Sequence, residues 1–98
     1  MNIQAMMKQA QKMQKDMLNA KGEIDAKIYE GKSSFVTAKL KGTKEVIEIK
    51  IDNEDLSKDD IEMLQDMIVI AISDAMKQID KETEEKLGKY TQGIPGLF

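Results

Sequence analysis

Three lysines near the start of the chain, Lys8, Lys12 and Lys15, follow one another by steps of four and three residues, so on a helix they share one face. Gln11 sits among them, Gln9 and Gln14 lie to the sides, and no acidic residue intervenes before Asp16. Ordinary exposed helices interleave the two signs of charge. A face of one sign attracts anions, and ammonium groups at this spacing suit a row of phosphates, which they meet as point charges. The pattern also fits the plain solvated side of an amphipathic helix, and the spacing leaves both readings open.

The second group able to do chemistry is DNEDLSKDD at residues 52–60, five carboxylates within nine residues. A calcium loop needs oxygen ligands at alternate positions and a glycine at the sixth. Leu56 stands at the third ligand position and Ser57 at the glycine position. No metal site is expected, and these carboxylates are assigned to a strand-to-helix connection and to the start of the helix. The chain has no cysteine, histidine or tryptophan. Thiolate chemistry is excluded, and proton transfer near neutral pH would need a strongly shifted Glu or Lys. No catalytic residue, cofactor or small-molecule substrate is expected.

Charge is unevenly distributed along the chain. Residues 1–21 carry Lys8, Lys12, Lys15 and Lys21 against Asp16, a net +3, so the rest carries −6 of the total −3. All fifteen cationic side chains are lysine. Without arginine there is no bidentate fork to read guanine edges, so contact with a nucleic acid would be phosphate attraction with little base reading. No apolar run reaches membrane-spanning length, and the opening residues do not read as a secretory signal, so a cytoplasmic protein without a membrane partner is expected.

These residues need elements to hold them. With 98 residues the chain is expected to be one α/β (α+β) domain with a modest core. Ile3, Met6, Ala10, Met13, Met17 and Ala20 alternate steps of three and four, the seam of a heptad repeat, which predicts a long helix over residues 1–21 with Asn2 as N-cap and Gly22 as its end. An antiparallel three-stranded meander is expected over residues 23–52. Ile24, Ala26 and Ile28 form the inward face of its first strand, Val36, Ala38 and Leu40 that of the second, and Ile47, Ile49 and Ile51 that of the third, with a turn at residues 31–34.

A core helix is expected over residues 57–87, with Ser57 as N-cap and Asp60 as the acidic half of a capping box. Its first stripe, Ile61, Leu64, Ile68, Ala71, Ile72, Ala75 and Ile79, is suited to cover the dry face of the sheet. A second stripe, Met63, Met67 and Ile70, has no obvious cover within one chain, which predicts a homodimer interface. Residues 88–98 read as a flexible tail.

Three stretches taken together, MMKQAQKMQKDM at residues 6–17, IEIKIDNEDLSKDDIEMLQDMIVIAISDA at residues 47–75 and GIPGLF at residues 93–98, resemble the YbaB/EbfC family of bacterial nucleoid-associated proteins. The resemblance covers essentially the whole chain. It implies a homodimer whose two N-terminal helices project like the arms of tweezers, and binding of double-stranded DNA with broad sequence tolerance in the nucleoid. It points to Lys8, Gln11, Lys12 and Lys15 as DNA-binding residues, with Gln9 and Gln14 beside them, and further to Lys86 and Lys89. The alternative is a protein-interaction or assembly module that docks through the Met-rich N-terminal helix. A third option, attachment of that helix to an anionic membrane, is weakened by the absence of Trp, Phe or Leu from its apolar side before Leu18.

Overall fold

A computed structural model describes residues 2–91. Helix α1 spans Ile3–Ala26, strands β1, β2 and β3 span Ile28–Ser33, Val36–Lys41 and Val46–Ile51, and a single 3-10 turn at Lys58–Asp60 leads into helix α2 at Ile61–Thr91. The strands form an antiparallel meander in the order β1-β2-β3. The molecule is long and narrow, 70 × 21 × 15 Å.

Both helices outrun their expected ends. Gly22 does not stop α1, because its backbone keeps helical geometry and the seam of Met17, Ala20 and Ile24 continues through it onto the core. Glycine weakens a helix interior by only about 1 kcal/mol, which packing of Ile24 and its neighbours offsets. Gly88 likewise lies inside α2, with buried Leu87 before it and half-buried Tyr90 after it. Residues 88–91 of the expected tail are therefore helical, and residues 92–98 lie outside the described residues.

The first strand is displaced as well. Ile24 belongs to α1, and β1 starts at Ile28 with Tyr29 and Gly31 facing inward while Ile28 is exposed. The side-chain period of a strand is two, so a shift of one residue exchanges the faces. Gly31 is inside the strand, not in the turn, because α2 crosses β1 so closely that a β-carbon there would meet the backbone carbonyl oxygen of Ala71 and the amide nitrogen of Ala75. The loop that joins β1 to β2 is Ser34–Phe35 alone, with Ser34 in the left-handed region at φ 54°.

The inward face of β2 is as expected, with Val36, Ala38 and Leu40 buried against Ala71, Ala75 and Ile79. The third strand differs in part. Val36 pairs with Ile51 and Ala38 with Ile49, so Ile49 and Ile51 face the side that α2 covers. However, α2 packs on β1 and β2, which leaves Ile49 half-buried and Val46, Ile47 and Ile51 exposed. The start of the helix follows the expected chemistry: the Asp60 carboxylate accepts from the Ser57 backbone N–H at 2.9 Å and from its hydroxyl at 3.3 Å. The cap is built on the 3-10 turn that precedes α2.

Candidate nucleic-acid interface

The first fourteen residues of α1 stand clear of everything else. Every residue from 3 to 16 is exposed, a length of about 21 Å at 1.5 Å per residue. The helix begins at Asn2, whose side-chain oxygen accepts from the Gln4 backbone N–H at 2.9 Å. Within this arm, Lys8, Gln11, Lys12 and Lys15 are all exposed. At 100° per residue the three ammonium groups lie on the side of the helix away from Met6, Ala10 and Met13. Among the described residues, no ion pair involves Lys8, Lys12 or Lys15. Three like charges on one solvated face, with Asp16 alone at its edge, form an anion-attracting strip.

The base of the arm is held by charge and by close backbone contact. The Gly42 N–H donates to the Lys27 carbonyl at 3.0 Å, which seats the β2–β3 turn against the end of α1. A β-carbon at Gly42 would collide with the Ile24 carbonyl. On the other side of this junction Glu82 of α2 gathers three donors: Lys27 Nζ at 2.9 Å, Lys86 Nζ at 3.3 Å and the hydroxyl of buried Tyr29. The hydrogen bond from Lys27, joined by Lys86 and opposed by desolvation, holds the Glu82 carboxyl below its ordinary value. Lys44 pairs with Asp80 at 2.9 Å on the neighbouring turn.

This clamp was not visible in the sequence, because Tyr29 read as outward-facing. The signal that would have found it is the true parity of β1, with Tyr29 and Gly31 on one side. It also bears on the two C-terminal lysines. Lys86 is engaged with Glu82, and the Lys89 ammonium lies 5.0 Å from the centroid of the Tyr90 ring.

The acidic loop has local work. Asp55 donates its backbone N–H to Asn53 Oδ1 at 2.9 Å, and Asp60 caps the helix start. Among the described residues no three carboxylates come together as a metal ligand set, and no helix is long and apolar enough to cross a membrane. Of the second stripe of α2, Met63 and Ile70 are exposed together with neighbouring Val69, whereas Met67 is half-buried against the core.

A family model described as the YbaB/EbfC DNA-binding family matches residues 1–94. A nucleoid-associated protein of Ligilactobacillus salivarius is 44% identical over 99% of this chain and 95% of its own length. Another from Enterococcus faecalis is 42% identical over 98% of this chain and 94% of its own, and one from Lactococcus lactis subsp. cremoris is 44% identical over 97% and 98%. The crystal structure of the uncharacterized protein HP0035 from Helicobacter pylori has the same fold, with a TM-score of 0.70 at 22% identity, covering 95% of this chain and 99% of that one.

Proposed function

The chain belongs to the YbaB/EbfC DNA-binding family, and from that premise we propose that it is a nucleoid-associated protein that grips duplex DNA between two lysine-faced arms of a homodimer. One observation carries the reading: Lys8, Lys12 and Lys15 share an exposed face of a projecting helix and have no ion-pair partner among the described residues. The relatives' names favour this function over docking of a partner protein along the methionine seam. Lys86 and Lys89 near the end of α2 are a secondary contact, available once Lys86 exchanges Glu82 for a phosphate. The role calls for no catalytic residue and no cofactor.

The homodimer is supported by the apolar surface that one protomer leaves open. Val46, Ile47 and Ile51 on β3, and Met63, Val69 and Ile70 on α2, are large side chains exposed in a small domain. Patches of this kind mark interaction surfaces. Met67 contributes from beneath, where it backs the second stripe. A stable folded monomer in sedimentation at micromolar concentration would rule the dimer out.

Two arms present about six ammonium groups, so the logarithm of affinity should fall against the logarithm of salt with a slope of about −5. The −6 carried by residues 22–98 repels the duplex and keeps its main contact on the arms. Replacing Lys8, Lys12 and Lys15 together by Gln keeps helix propensity and removes the charge. In gel retardation this variant should lose binding to unrelated DNA sequences equally while the protein stays folded, since phosphate contacts carry no base information. Binding equal to that of the parent at matched salt would exclude the arm and direct attention to Lys86 and Lys89.

A further inference from the structure

The two edges of the sheet are finished differently. At the β1 edge, α2 supplies side chains that occupy the outward backbone groups: Gln78 Nε2 donates to the Glu30 carbonyl at 2.8 Å, and the Lys32 N–H donates to Asp74 Oδ2 at 3.0 Å. At the β3 edge nothing takes that part. The Asp52 N–H donates to the Phe35 carbonyl at 2.9 Å, and Lys50 and Glu48 stand opposite Thr37 and Lys39. By the alternation of an antiparallel ladder, these three residues turn their backbone groups to β2. Ile49 and Ile51 between them turn theirs outward, and among the described residues no side chain hydrogen-bonds to them. A row of open N–H and C=O groups is a template for another strand.

The side chains along β3 say which strand fits. On the outer face of the sheet Glu30, Lys39 and Glu48 lie opposite one another on neighbouring strands, and Lys39 is 3.6 Å from each carboxylate. Lys50, two residues along the same face, is exposed and forms no ion pair among the described residues. The edge thus presents one negative and one positive side chain. We infer that the β3 edge pairs with the β3 edge of a second copy of this chain, antiparallel and centred on Ile49. Two-fold symmetry then sets Glu48 opposite Lys50 of the second copy, and Lys50 opposite its Glu48. The row of Glu30, Lys39 and Glu48 gains a fourth member, and its signs keep alternating.

Charge also selects the register. Centring the pair on Glu48 would oppose Glu48 to itself, and centring it on Lys50 would oppose Lys50 to itself and Glu48 to Asp52. Like charges directly opposite are destabilising, whereas unlike ones stabilise a strand pair. Of these three registers the one centred on Ile49 alone opposes unlike charges, and it also sets outward backbone groups against outward backbone groups. The same register places Ile51 against Ile47 of the second copy, bringing together side chains that are 40% and 46% exposed. Charges on an edge strand guard against pairing when copies repel; here the two signs complement themselves. The edge is a different surface from the stripe of Met63, Val69 and Ile70 on α2. The contact is therefore additional to the homodimer proposed above, and it rests on that reading for the size of the assembly it builds. Two isologous contacts on one chain join dimers into larger assemblies.

Sedimentation of the full chain at low salt tests the contact. The parent should form assemblies larger than a dimer over the micromolar range. Lys50→Glu places carboxylates opposite each other at two positions of the contact, and Glu48→Lys does the same with ammonium groups. Each change should weaken the higher association by about tenfold or more and leave dimers. An equimolar mixture of the two variants, and the chain that carries both changes, should associate as the parent does, since each restores unlike pairs. Recovery there also shows that the variants are folded. A parent that stops at the dimer would overturn the inference and leave the homodimer standing, whereas a parent that sediments as a monomer would overturn both. Single variants that keep the parent's size, or a mixture and a double variant that both stay at dimer size, would overturn it as well. Single variants that fall to monomers would make the edge the dimer contact itself and overturn its place as a second one.

Discussion

The arm and the body of this protein use the same cation in opposite ways. In the body, Lys21, Lys27, Lys39, Lys41, Lys44 and Lys86 are each paired with a carboxylate, and Lys39 bridges Glu30 and Glu48 at 3.6 Å from each. In the arm, Lys8, Lys12 and Lys15 stand among Gln and Met and form no ion pair among the described residues, although Asp16 lies four residues from Lys12. The body therefore holds these six lysines in ion pairs, whereas the arm leaves all three lysines of its face open to an arriving anion. The apolar residues divide in the same way. Body positions are buried among Ala, Ile and Val, and arm positions of equal hydrophobicity stand in solvent. If the arm is the DNA-binding surface proposed above, stability resides in one region and recognition in the other, and substitutions should separate the two.

The largest expected separation comes from truncating one apolar side chain in each region. Leu87 is 1% exposed and ties the end of α2 to the core, so Leu87→Ala should cost about 2–5 kcal/mol through lost burial and the cavity left behind. Met7 is 57% exposed on the arm, and Met7→Ala should change stability by about 0.5 kcal/mol or less. Urea unfolding of the two variants measures both values. Similar costs would mean that Met7 is covered in solution and that the arm is not free.

A smaller effect is expected at the junction, where Glu82 gathers Lys27, Lys86 and the Tyr29 hydroxyl. Replacing Glu82 by Gln keeps the shape and removes the charge, which should cost about 1.5–3 kcal/mol at neutral pH. Because the native carboxyl is held below its ordinary value, its contribution is complete above the unfolded-state value of about 4.3 and is lost as the pH falls through the lowered native one. The difference between parent and Glu82→Gln should therefore be constant from neutral pH down to about 5 and shrink below the ordinary carboxylate range. A difference that instead widened on acidification would remove Glu82 as the residue that joins arm to body.

The arm was far more legible in the sequence than its junction with the body. The lysine face and the heptad seam depend only on spacing within a single helix, and both Asn2 and the Ser57–Asp60 pair signalled the helix starts locally. The second strand was equally plain, since Val36, Ala38 and Leu40 alternate with polar neighbours. What stayed hidden was set by contacts between elements. Gly22 and Gly88 read as breaks because local propensity does not register packing of Ile24 and Leu87. Gly31 read as a turn because nothing nearby in sequence reports the backbone of α2 pressed against it. Tyr29 was assigned outward by the same slip of one residue, and with it went the Glu82 clamp. The exposure of Val46, Ile47 and Ile51 was likewise illegible, since an apolar strand face looks the same whether its own helix or another chain covers it.

The finest test compares one lysine from each region. Lys12→Gln in the arm removes one ammonium group from each of two copies, so the salt dependence of DNA binding should become shallower by about two in slope. Stability should hardly change, because Lys12 has no ion-pair partner among the described residues to lose. Lys39→Gln in the body should do the reverse. Its two bridges are partly exposed pairs on the outer face of the sheet, worth at most about 1 kcal/mol together, and its charge is already spent on Glu30 and Glu48. The salt slope of that variant should match the parent, while its urea midpoint falls slightly. Titrating labelled duplex at several salt concentrations reads the first quantity, and urea unfolding reads the second. If the Lys39 variant lost slope as the Lys12 variant does, the duplex would be touching the sheet as well as the arms, and a boundary drawn by which lysines are already paired would not be the boundary of the DNA-binding surface.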